Sequence, residues 1–117
     1  MPVKHAKDVP AQPVKAGDFT TIQVLQEGPN FAMRRFVMEP GGGMPEHTNT
    51  LEHEQYVLKG QANIGIGGDV FEVKAGDVVF IPEGVAHWYR NTGEGDFEFL
   101  CMIPNKPDEI RIIGKEC

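Results

Sequence analysis

No serine occurs anywhere in the chain, which removes serine-nucleophile chemistry at once. Cysteine is nearly as scarce. Cys101 and Cys117 are the only two in 117 residues, a poor disulfide framework that agrees with a reducing compartment, although the sequence leaves open whether they pair. Long apolar runs are missing as well. None reaches the ~18 residues that span a bilayer, and no basic segment near the start leads into an uninterrupted apolar stretch, so the expectation is a soluble, cytoplasmic chain without a membrane partner. Positive charge is in deficit, with 11 Lys and Arg against 17 Asp and Glu and a net charge of -6. Such a field repels phosphate backbones and argues against nucleic acid as a partner.

What is present points to β structure. Hydrophobic residues make up 40% of the chain, with 14 glycines and 9 prolines, a composition that suits one compact domain with many tight turns. Residues 1–17 hold Pro2, Pro10 and Pro13 among small and polar residues and read as an extended arm ahead of a barrel domain over 18–117. Turn signals then recur at Gly28-Pro29-Asn30, Pro40-Gly41-Gly42-Gly43, Gly60, Gly67-Gly68-Asp69, Gly76-Asp77, Pro82-Glu83-Gly84, Gly93 to Asp96 and Pro104-Asn105. Between them lie runs predicted as strands: 21–26, 31–38, 55–58, 62–66, 70–73, 78–81, 86–91, 97–103 and 110–113. Punctuation about every 8–12 residues predicts an all-β sandwich or barrel. Ala62, Ile64 and Ile66 share one face, as do Phe97, Phe99, Cys101 and Ile103, and these faces are expected inward.

Three of the four histidines fall in two glycine-anchored segments, 41–60 and 76–91. In an extended strand His47 and Asn49 project to the same side. A turn through Thr50, Leu51 and Glu52 would return His53 toward the same point, and the strand after Pro82-Glu83-Gly84 would bring His87. Imidazoles suit manganese, iron, nickel, copper or zinc, and an amide oxygen is a harder, weaker donor. The metal's identity stays open. All four groups bind as neutral ligands, so a divalent ion would keep its full charge and favour an anionic or enolisable substrate. Tyr89 shares the face of His87, Gln55 that of His53, and Cys101 lies on an apolar strand; these are the pocket candidates. Glu54 is the rival to His53, but neighbouring strand residues face opposite ways.

The two segments resemble the paired motifs of the cupin superfamily. Gly41, His47, Asn49, His53 and Gly60 fall in the register of the first motif, and Gly76, Pro82, Gly84, His87 and Asn91 in that of the second, with only residues 61–75 between them. The resemblance covers roughly residues 30–104 and implies a small single-domain cupin, a jelly-roll or double-stranded β-helix barrel of the RmlC-like kind. In that register His53 stands where the family usually has glutamate, as in cupins whose manganese or other metal is held by four histidines. Asn49 stands where those have histidine. The resemblance also implies a homodimer in which sheets or N-terminal strands join across subunits, a role open to residues 1–17. On this footing the expected function is a metal-dependent, dioxygenase-type oxidoreductase acting on a small organic molecule. A redox-neutral isomerase or lyase and a non-catalytic binding or sensing cupin are the alternatives.

Overall fold

The computed structural model describes residues 2–113; Cys117 lies outside them. The chain enters with a 3-10 turn at Ala6–Asp8, then β1 (Gln12–Pro13), β2 (Asp18–Glu27) and β3 (Phe31–Asn49). There follow β4 (His53–Lys59), β5 (Gln61–Ile66), β6 (Asp69–Lys74), β7 (Val78–Ile81), β8 (His87–Asn91), β9 (Phe97–Pro104) and β10 (Ile110–Ile112). The architecture is all-β, a jelly-roll barrel. Strands run in the order β6-β5-β8-β3-β9-β4-β7, with β2 and β10 also paired to β3 and β1 paired to β2. Among the described residues no helix is long and apolar enough to cross a membrane.

The turn expected at Pro40 to Gly43 is absent, because β3 continues through it for 19 residues. Gly41 takes φ +79, a left-handed value that glycine adopts without a Cβ penalty, and the strand bends there rather than reversing. Its first half pairs with β2 and β9, and its second half pairs with β8 and β10. One strand thereby ties the two walls together. At Gly43 the backbones of β3 and β8 are so close that a Cβ would run into the carbonyl oxygen of Tyr89. Gly43→Ala is accordingly expected to destabilise by about 1–3 kcal/mol through overpacking. Gly68→Ala, whose added carbon meets open space, should stay within about 0.5 kcal/mol, and paired thermal melts compare the two.

Phe99 stacks between Phe36, at 5.0 Å between ring centres, and Tyr89, at 5.2 Å, and each such pair adds about 0.5–1.5 kcal/mol beyond burial. Met38, Val57, Ile64, Ile81 and Phe97 pack around this column. Asn91, the last residue of the second motif, is buried; its Nδ2 donates to the carbonyls of Met38 and Gly95, both at 2.9 Å, and its Oδ1 accepts from the Gly93 amide at 2.8 Å. It satisfies backbone groups of a tight turn that would otherwise be orphaned. The described part of the expected arm, residues 2–17, lies along its own barrel: Gln12 and Pro13 pair with Ile22 and Thr21, and Gln23 Nε2 donates to the carbonyls of Ala6 and Val9.

Candidate metal centre

Alternation along the end of β3 turns His47 and Asn49 inward, and β4 and β8 each begin on an inward histidine, His53 and His87. His47 and His87 are direct cross-strand partners. Their ring centres lie 4.2 Å apart, with His53 5.5 Å from His87. The amide of Gly84 donates to the Asn49 carbonyl at 2.7 Å, so the turn of the second motif is fastened to the last residue of β3. All four side chains are buried and line one cavity of about 450 Å³ together with Gln55, Tyr89 and Cys101. Glu54 faces solvent, as the alternation expected. His5, on the exposed arm, accepts from the Lys7 amide instead.

Two of the imidazoles are held in one tautomer. Nδ1 of His47 lies 2.7 Å from the Pro45 carbonyl and Nδ1 of His87 lies 2.9 Å from the Val85 carbonyl. A carbonyl only accepts, so Nδ1 carries the proton and Nε2 keeps a free lone pair. His53 differs: its Nδ1 stands 3.2 Å from the Arg34 guanidinium and 3.1 Å from Cys101 Sγ, while Nε2 is buried without a partner. Asn49 Nδ2 donates to Asp108 Oδ2 at 2.9 Å, leaving Oδ1 buried and unpartnered. An unmet buried acceptor costs about 1–3 kcal/mol, and Asn49 Oδ1 on the cavity wall is one that a cation would satisfy. Among the described residues no group of three or more His, Cys, Asp or Glu is placed to hold a metal ion, and His53 is engaged by Arg34 and Cys101.

Burial sets the charge state. It lowers the pKa of His53 to about 3, helped by the neighbouring Arg34 and His87, and that of His87 to about 4 against the pull of the Val85 carbonyl. It lowers His47 as well. All three rings are therefore neutral near pH 7, the form that binds metal. Burial pushes the Tyr89 phenol above its ordinary range. Its oxygen accepts from Gln55 Nε2 at 2.6 Å, and its own proton remains available. The Cys101 thiol is pushed up by burial despite Arg34, so it stays protonated.

Two residues of the site escaped the sequence reading. Arg34 lines the cavity from the first half of β3, and period-two alternation from Ala32 to Phe36 was the signal that turned it inward. Asp108 fixes the Asn49 amide and also accepts from the amide and hydroxyl of Thr50 at 2.9 and 3.2 Å. It comes from the segment before β10, and no local pattern pointed to it.

The Cupin_2 family, described as a cupin domain, matches residues 34–103, and the chain belongs to that family. Metal binding is common in it. An oxalate-binding protein of Thermotoga maritima is 37% identical over 70 residues, 59% of this chain and 58% of that protein. The chain thus spans little more than half the length of that relative. The structure of the polyketide cyclase RemF from Streptomyces resistomycificus aligns with a TM-score of 0.88 at 30% identity, covering 97% of this chain and 85% of that one. A cupin-2 domain from Rhodospirillum rubrum aligns with a TM-score of 0.82 at 27% identity, covering 92% and 76%.

Proposed function

We propose that this chain is a metal-dependent enzyme that binds a small organic anion and acts on it by redox-neutral chemistry, the metal being held by His47, His53, His87 and Asn49. The observation that carries this reading is the buried Asn49 Oδ1, unpartnered and fixed in place by Asp108, on the same wall as three neutral imidazoles. A divalent ion held there, whether manganese, iron, nickel, copper or zinc, supplies Lewis acidity for polarising a carbonyl or enolate oxygen. The chain's own residues do the rest. Tyr89 keeps its proton and offers it as a hydrogen bond to developing negative charge on substrate oxygen. Gln55 orients that hydroxyl, and Ile22, Met44 and Ile112 give the cavity an aliphatic wall. The likeness to a polyketide cyclase across 97% of the chain supports the redox-neutral choice, and the likeness to an oxalate-binding protein supports an anionic ligand.

Oxidation of the same substrate is the second reading, favoured by the roomy apolar cavity beside three imidazoles, where dioxygen and substrate would fit together. Metal analysis of the native protein followed by turnover with and without oxygen separates the two. We expect about one metal ion per chain and product formed equally well under anaerobic conditions. Oxygen uptake coupled to product would favour oxidation, and tight ligand binding without product would favour a binding or sensing cupin. A homodimer belongs to the same proposal. The outward faces of β4, β7 and β9 bring Tyr56, Val78 and Leu100 into one register row, with Tyr56 and Val78 exposed and Leu100 half-buried, an apolar surface that a second copy would cover. The mass in solution tests it.

A further inference from the structure

We propose that Arg34 reads the carboxylate of the substrate, and that the substrate is an organic acid with an apolar body rather than a small diacid. This deepens the reading of the cavity as a substrate site, but the anion contact itself needs no metal. Among the described residues the cavity wall carries two cations, Arg34 and Lys15, and no aspartate or glutamate, in a chain with 17 acidic and 11 basic residues. An interior that inverts the net charge of its own protein selects anions.

Arg34 is the focal charge. Its guanidinium carbon lies 5.2 Å from the Phe36 ring centre, so an aromatic face supports it. One terminal nitrogen stands 3.2 Å from both His53 Nδ1 and Cys101 Sγ, neither of them an anion, and Nε is buried without a partner. Among the described residues the carboxylate ion pairs are made by Arg35 and Lys59, not by Arg34. A guanidinium cannot shed its proton to escape this. A carboxylate is the group whose two oxygens match its fork, and bound there it would lie beside His53, at the edge of the candidate metal centre. The remaining wall argues the body of the ligand. Val14, Ile22, Met44, Ile110 and Ile112 face a space of about 450 Å³, and a diacid all of whose surface is polar would lose its hydration against them without return.

The test is titration calorimetry of the full chain, metal-free and metal-loaded, with cinnamate, cinnamamide and oxalate. Wild-type protein is expected to bind cinnamate at least about tenfold tighter than either other probe. Arg34→Gln should erase the preference for acid over amide, and Arg34→Lys should restore part of it. Equal binding of acid and amide by the wild type, a comparison that needs no variant, would overturn the proposal. So would a preference for oxalate, or an undiminished acid preference in Arg34→Gln. An Arg34-dependent acid preference in protein that takes up no metal upholds this inference and ends the metal-dependent reading; metal uptake without any acid preference does the reverse.

Discussion

His87→Ala is expected to cost at least about a hundredfold in metal affinity, more than the 10–100-fold typical of removing a group that merely orients a ligand. His87 stands at the centre of the cluster. It is the cross-strand partner of His47, its ring approaches both other imidazoles, and only 1% of it is exposed. Its Nδ1 is pinned by the Val85 carbonyl, which leaves Nε2 as the nitrogen free to bind metal. Asn49→Ala should weaken binding less, because an amide oxygen is the poorer donor, and Asn49→His should tighten it by supplying a fourth imidazole. Metal content after dialysis, with circular dichroism to verify the fold, measures all three variants. Wild-type metal content in His87→Ala would remove the assignment.

The division between what was legible and what was not follows the range of the interactions. Alternation in 62–66 and 97–103 placed Ala62, Ile64, Ile66, Phe97, Phe99, Cys101 and Ile103 inward; Ile66 and Ile103 are partly buried against the core and the other five are buried, because period two is a local property of a strand. The spacing of His47, Asn49, His53 and His87 was equally local within each motif, and the structure lines one cavity with all four. The passage through Pro40 to Gly43 was misjudged as a turn. Glycine runs reverse a chain only when nothing pairs with them, and here Asp18 and Arg90 both pair with Gly43 and keep β3 extended. Asp108 meets Asn49 across 59 positions, a distance over which sequence carries no periodic signal. Arg34 was passed over for another reason: an inward arginine violates the expectation that charge faces water, and such violations gather where a ligand completes the site.

Metal-free protein is expected to lose stability steeply between about pH 6.5 and pH 4. An exposed histidine in the unfolded chain titrates near 6.5, whereas burial holds His53 at about 3 and His87 at about 4 and lowers His47 too. In that window the unfolded chain binds protons that the folded chain refuses, so the contribution is complete above pH 6.5 and is lost as the pH falls toward the folded values. Each such group removes about 1.4 kcal/mol per pH unit. His53 and His87 together remove nearly 3 kcal/mol per unit near pH 5, a large share of the ~5–15 kcal/mol that holds a domain of this size. The Arg34 guanidinium 3.2 Å from His53 Nδ1 disfavours the protonated ring. Denaturant midpoints measured with chelator at pH 7.5, 6.5, 5.5 and 4.5 should be flat between the first two and drop sharply thereafter, with His87→Asn reducing the slope. A midpoint that held steady to pH 4.5 would mean that the rings take up protons in the folded state, and that the wall they line is wetter and less apolar than its aliphatic residues imply.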